Sequence, residues 1–350
     1  MIMKLNLKNK IISDEFSPYV IAEMSANHNH DISLAKNIIY AAKESGADCI
    51  KFQTYTPDTM TLNSNKEYFK IKDGTWKGNN LYDLYKKAYM PWEWQKELKK
   101  ECEKLGIDFL STPFDKTSVD FLENLDVEFY KIASFEIVDI PLIRYIASKK
   151  KPIIMSTGMS TLKEIQDAVD TIESQGNKNY ALLKCSSAYP SVSRDMNLIC
   201  INDLKKIFNK PVGLSDHTLG DLAAIIATSL GASIIEKHFC LTRNIKTPDS
   251  SFSMEPKELK NMIKKIKEVK LALGDISYGP TENEKKSLSF RRSIFVTKDI
   301  KKGEIFSEEN IRIIRPSNGI EPKYFEKIIG KKASVDIKAS EPLDWNFIKK

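Results

Sequence analysis

Eight apolar runs in this chain each close on residues able to hold an anion, a metal ion or a proton. Glu23, with Asn27 and His28, follows YVIAEM (19–24), and Lys51 and Gln53 close ADCIKFQ (47–53). Thr112 closes IDFLSTP (107–113), Lys131 and Ser134 lie in EFYKIAS (128–134), and Ser156 and Thr157 end KPIIMST (151–157). Ser186, Ser187 and Tyr189 end or follow YALLKCS (180–186), Ser215, Asp216 and His217 end or follow KPVGLSD (210–216), and Glu236 and His238 close ASIIEKH (232–238). Lys51 and Lys131 have apolar neighbours, so each needs a counter-charge. A bound phosphate or carboxylate would serve, with the nearby serines and threonines as uncharged donors; pairing with Glu23 or Glu236 is the alternative. His217 and His238, two of four histidines, close consecutive runs. They either share a divalent cation or stay hydrogen-bonded in the core. Two imidazoles completed by water and substrate oxygens suit manganese, cobalt, iron or magnesium better than a closed zinc site. His28 and His30, in ANHNHD, read as ordinary loop residues.

These residues can act together only on a scaffold that brings eight strand ends to one mouth. The runs are rich in Ile, Val, Leu and Phe, as strands buried on both faces are. Between them lie amphipathic stretches such as DISLAKNIIYAAKESG, PWEWQKELKKECEKLG, STLKEIQDAVDTIESQG and GDLAAIIATSLG, several of which stop at glycine. Eight β/α repeats over about 250 residues predict an α/β fold of the TIM (β/α)8 barrel class, with chemistry at the C-terminal ends of the strands. No strand–GxGxxG–helix unit supports a doubly wound dinucleotide fold. The insertion at 55–90, after the second strand, is expected over the catalytic end. The barrel is expected over 1–273, a polar Gly/Pro-containing linker over 274–290, and a compact module of short β pieces over 291–350.

Five scattered cysteines without a CxxC pair argue against a disulfide framework or structural zinc and for reduced thiols, a cytoplasmic pattern; Cys185 reads as a packing residue. No apolar run reaches the length of a membrane helix, and the first residues lack a signal-peptide core. The net charge of +7 resides in mixed-sign helices such as NMIKKIKEVKLALG, which read as solvated faces, so no nucleic-acid or membrane partner is expected.

The motifs IAEMSANH, GADCIKFQTY, FLSTPF, YKIASFE, MSTGM, GLSDHT and IEKHF occur in this order. The chain resembles the sialic acid synthase family over essentially its whole length, and its last segment, with RPSNG at Arg315–Gly319, resembles the antifreeze-like (SAF) module fused to those enzymes. YTPDTMTLNS, KEYFKIKDGTWKGNNLYDLYKKAYMPWEW and KCSSAYPSV resemble the pseudaminic branch, and Ser187 stands where sialic acid synthases proper usually carry Asn. The resemblance implies an enzyme that condenses phosphoenolpyruvate with an amino-sugar aldehyde, 2,4-diacetamido-2,4,6-trideoxy-altrose in that branch. N-acetylneuraminate or legionaminate synthesis by the same chemistry is the alternative. It implies that Lys51, Thr112, Lys131, Ser134, Ser156, Ser187 and Ser215 bind phosphoenolpyruvate, and that His217 and His238 hold manganese, with cobalt or magnesium as substitutes. Glu23 would lie beside the reacting carbons and Asp249 near the sugar; Gln53 and Tyr189 are added as substrate-binding candidates from their strand-end positions. Arg315 would reach into a partner's barrel in a domain-swapped homodimer. A Schiff-base pyruvate aldolase using Lys51 or Lys131 and a non-catalytic carbohydrate- or ice-binding protein are the competing readings.

Overall fold

The structure is a computed structural model that describes residues 3–349. Its contacts divide it into two units, residues 1–274 and 275–350.

The first unit is a closed eight-stranded barrel of parallel neighbours. A short antiparallel hairpin, β1 (Lys4–Asn6) and β2 (Ile11–Ser13), precedes it. The staves are β3 (Tyr19–Glu23), β4 (Cys49–Thr54), β5 (Asp108–Pro113), β6 (Tyr130–Ile132), β7 (Ile153–Ser156), β8 (Tyr180–Cys185), β9 (Val212–Asp216) and β10 (Ile234–His238); β10 closes on β3. Seven fall inside one of the eight apolar runs, and β4 extends one residue, Thr54, beyond its run. Side chains alternate along a strand, and this parity sorts two cores. Val20, Ile50, Phe52, Tyr130, Ile153, Leu182, Leu214 and Ile235 face outward to pack under the helices. Tyr19, Ile21, Cys49, Leu110, Phe129, Ile154, Leu183 and Ile234 fill the lumen together with Leu5, Leu7 and Ile12, so the hairpin plugs the end where the strands begin.

The helices begin and stop where local chemistry dictates. Asp31 caps α1 (Ile32–Ser45) by accepting from the Ser33 and Leu34 amides, and Gly46 ends it at φ 93°, a conformation that costs glycine little. The 55–90 insertion holds α2 (Pro57–Met60) and α3 (Leu81–Ala88), the latter capped by Asn80. Trp76, between them, donates to the Pro248 carbonyl, which puts the insertion at the C-terminal face.

The second unit is built on the antiparallel pair β11 (Ser293–Val296) and β12 (Ile311–Ile314), with a core of Ile294, Val296, Ile300, Phe306, Ile311, Ile328 and Leu343. The stretch 274–290, expected as a linker, carries a helical turn at Glu282–Lys285 and a 3-10 turn at Lys286–Phe290. Ser317 donates to the Leu288 and Ser289 carbonyls, tying its end to this unit.

Candidate active site

At the ends of the strands, lumen-facing parity selects Glu23, Lys51, Gln53, Thr112, Lys131, Ser156, Cys185, Ser215, Glu236 and His238. Register sets them in successive layers at the strand ends, with Glu23 opposite both His238 and Lys51, Gln53 opposite Thr112, and Ser215 opposite Cys185 and Glu236. Asp216 and Lys237 have the opposite parity. They pair with each other outside the lumen at 2.7 Å and take no part in the site.

The lumen charges alternate in sign. The Lys51 ammonium lies 3.1 Å from Glu23 and 3.1 Å from Glu236, and Lys131 lies 3.8 Å from the other oxygen of Glu236. Lys131 also donates to Ser156 at 2.7 Å. The counter-charges weighed from sequence are therefore the carboxylates, and both lysines still face the mouth. Burial splits the two acids. Desolvation pushes Glu23 above the ordinary carboxylate range despite Lys51. Burial acts on Glu236 too, but Lys131 and Lys51 together outweigh it and hold Glu236 below that range. Desolvation brings Lys131 down to about 8, opposed by Glu236; burial acts the same way on Lys51, but Glu23 and Glu236 together outweigh it and drive Lys51 upward.

Glu23 is further fixed by Gln53, whose amide donates to it at 2.9 Å and to Ser25 Oγ at 2.9 Å. Ser25 in turn donates to Asp249 at 2.5 Å, placing that carboxylate 4.0 Å from His238 Nδ1. Four polar atoms here are buried without a hydrogen-bond partner: Thr112 Oγ1, Glu23 Oε2, Glu236 Oε2 and His238 Nδ1. The two carboxylate oxygens sit beside lysines but out of hydrogen-bond alignment. Such orphans are costly in a filled core and mark where a polar ligand would be received.

A cradle lies beside Lys131. Ser134 Oγ accepts from the Gly158 amide at 3.0 Å. A Cβ on Gly158 would fall 2.2 Å from Ser187 Oγ and 2.7 Å from Ser134 Oγ, so only glycine leaves these hydroxyls clear. Cys185 Sγ joins them at 3.6 Å from Ser187 and 3.8 Å from His217 Nδ1. Burial opposes its ionisation, but His217 and the serines bring its thiol down to about 7. It is thus a site residue as well as a packing one.

His217 and His238 face each other with ring centres 5.2 Å apart. His217 Nδ1 lies 2.8 Å from the Ser186 carbonyl; the carbonyl can only accept, so Nδ1 carries a hydrogen and Nε2 is the nitrogen a neutral ring would offer to a cation. Burial opposes protonation of this ring, but Cys185 and the Ser186 carbonyl raise His217 above its ordinary range. Desolvation keeps His238 neutral, well below its ordinary range. Tyr189 packs 4.3 Å from the His217 ring. Arg315, by contrast, lies exposed in the second unit, just after β12. There Ser293 binds the Pro316 carbonyl and the Gly319 amide, at 2.6 and 2.9 Å, and shapes the Arg315–Gly319 loop.

Several residues of this face were missed from sequence, Ser25 among them. Glu236 stood among the strand ends but was not carried into the site, although parity with His238 gives it away. Gly158 was hidden in MSTGM. Glu136, in the turn after β6, has a buried, unpartnered Oε2, and burial lifts it to about 7 against the pull of Lys131. His28 is buried beneath Trp94 and His30, with burial bringing it down to about 4, outside the lumen set.

With this geometry in view, relatives are plain. Residues 38–278 match the NeuB family and residues 291–349 the SAF domain. The chain is 48% identical over 335 residues to pseudaminic acid synthase of Helicobacter pylori, covering 95% of this chain and 98% of that one. It is 38% identical to N,N'-diacetyllegionaminic acid synthase of Legionella pneumophila, covering 94% of each. A crystal structure of N-acetylneuraminic acid synthetase from Leptospira borgpetersenii superposes with a TM-score of 0.73 at 31% identity, covering 82% of this chain and 96% of that one. A barrel with a lysine–carboxylate lumen, a histidine pair and a trailing SAF domain, matched over nearly full length, means that the chain belongs to the NeuB family.

Proposed function

We propose that this protein is a pseudaminic acid synthase, joining phosphoenolpyruvate to 2,4-diacetamido-2,4,6-trideoxy-altrose with release of phosphate. What carries this reading is the 46–48% identity to pseudaminic acid synthases of three strains, against 38–40% to the legionaminic acid synthases.

Lys131, Ser156 and the Ser134–Ser187–Gly158 cradle suit a phosphate, and Lys51 with the free Thr112 hydroxyl suits a carboxylate. Holding both fixes the three-carbon unit against the sugar. The new bond joins C3 of phosphoenolpyruvate to the aldehyde carbon, whose oxygen takes up a proton. Water adds at the C2 cation and yields a proton; the C2–O bond to phosphate then breaks, leaving the ketone. Glu23, whose proton affinity burial raises, is the group to receive the water's proton, while Glu236 stays ionised and keeps the lysines charged. Asp249, anchored by Ser25, would accept from a sugar hydroxyl.

The histidine pair fits a divalent cation. In its neutral form each imidazole offers a nitrogen lone pair, and His238 Nδ1 has no protein partner. Among the described residues no group of three or more His, Cys, Asp or Glu is arranged to hold a metal, so water and substrate would complete its shell. Manganese, or cobalt or magnesium in its place, would supply Lewis acidity toward the aldehyde oxygen.

The enzyme is proposed to act in the cytoplasm, where its five unpaired cysteines would remain reduced; among the described residues no helix is long and apolar enough to cross a membrane. It is also proposed to work as a domain-swapped homodimer in which the partner subunit's SAF domain brings Arg315 to this mouth. The loops around the mouth expose Phe135, Val138, Met159, Leu162, Val192 and Leu219, an apolar rim suited to a partner. Sedimentation as a single 39.9 kDa species would overturn the dimer.

The deciding experiment is phosphate release from phosphoenolpyruvate with manganese, before and after chelation, offering the altrose, its gluco-configured counterpart and N-acetylmannosamine. Release with the altrose alone is expected. Release with another sugar would keep the chemistry and correct the substrate. No release with any would refute the reaction, and a borohydride-trapped pyruvate adduct would indicate the aldolase.

A further inference from the structure

Trp76 holds a position that the reaction itself does not explain. It lies between Lys70 and Asn80, which pair across an isolated antiparallel bridge, and it is half-buried between exposed neighbours Thr75 and Lys77. Its indole N–H donates to the Pro248 carbonyl at 2.9 Å, one residue before Asp249. The Thr75 hydroxyl donates to the Tyr189 carbonyl. An excursion that leaves the barrel after β4 is thereby fastened to the segments after β8 and β10.

The ring then extends an aromatic surface from the histidine pair. Trp76 lies 5.3 Å from Tyr189 and 6.3 Å from Phe252. Tyr189 lies 4.3 Å from His217, and Phe252 lies 5.0 Å from His238. Trp76 has one polar atom, and Pro248 occupies it. What remains for a ligand is an apolar face, beside the carboxylate proposed above to meet the sugar.

We propose that Trp76 is a specificity-determining residue that selects a 6-deoxy amino sugar by packing against its methyl group. This rests on the synthase reading above. A hydroxymethyl group in the same place would lose water and find no donor or acceptor on the indole. An apolar wall rejects an added hydroxyl by about 10- to 100-fold, so the preference expected of the wild type is of that order.

The test compares kcat/KM for 2,4-diacetamido-2,4,6-trideoxy-altrose and its 6-hydroxy counterpart in wild type, Trp76→Ala and Trp76→Phe, with KM for phosphoenolpyruvate and the melting temperature followed alongside. The expected result is a wild-type preference for the 6-deoxy sugar that Trp76→Ala lowers about tenfold and Trp76→Phe largely keeps, at constant KM for phosphoenolpyruvate. Equal loss on both sugars would reduce Trp76 to a fastening for its loop and overturn the proposal, as would a wild-type preference near one. Turnover of neither sugar by the wild type would instead bring down the substrate reading and the proposal with it.

Discussion

Replacing Glu236 by Gln tests the charge arrangement directly. Glu236 faces Lys51 at 3.1 Å and Lys131 at 3.8 Å. At an effective dielectric constant of about 20, such separations correspond to about 5 and about 4 kcal/mol of gross attraction. Desolvation offsets much of this, and removing one member of a buried pair costs about 3–5 kcal/mol. Lys131 limits the damage, because its ammonium already titrates at about 8. Neutralising it at pH 7 then costs only about 1 kcal/mol, so the net loss falls near the lower end, about 3 kcal/mol. By calorimetry at pH 7 the barrel of Glu236→Gln should melt about 6 °C lower or more, and KM for phosphoenolpyruvate should rise as Lys131 loses its charge. Adding Lys131→Met should recover part of the melting temperature by removing the unpaired ammonium. A single variant that melts within a degree of wild type, or a double variant whose losses simply add, would refute the reasoning.

Gly158→Ala should raise KM for phosphoenolpyruvate about tenfold or more, the loss of one or two hydrogen bonds to an anion, with little change in KM for the sugar; an unchanged KM for phosphoenolpyruvate would remove the cradle from the anion site. The pH profile should report Lys131. The charged form binds the anion, so kcat/KM for phosphoenolpyruvate should fall as pH rises through about 8, and Lys131→Arg should abolish that limb; a profile flat to pH 9.5 would contradict it.

The barrel was legible because its strands are buried on both faces and so stand out as dense aliphatic runs. The hairpin of β1 and β2 was not, since three-residue strands are too short to show a period. In the site, residues with a charge among apolar neighbours, such as Lys51 and Lys131, announced themselves. Distinguishing Glu236 from Lys237, or Ser215 from Asp216, needed the parity of each strand, which is fixed only once the lumen face is known. Gly158 and Trp76 lay beyond sequence reasoning for another reason: each matters through what it lies against, Ser134 and Ser187 in one case, Tyr189 and Pro248 in the other.

The hairpin that plugs the barrel also constrains how the protein is made. Leu5, Leu7 and Ile12 bury against staves from all round the lumen, β10 included, and Asn6 exchanges two hydrogen bonds with Asn179. During synthesis the hairpin therefore waits for partners up to about 220 residues behind it. At about 5–20 residues per second, that interval is about 10–45 s. During it the apolar face of the hairpin and the open edge of β3 stay available to other chains. Synthesis speed and chaperone supply thus bear on the yield of active enzyme through a segment that never touches substrate.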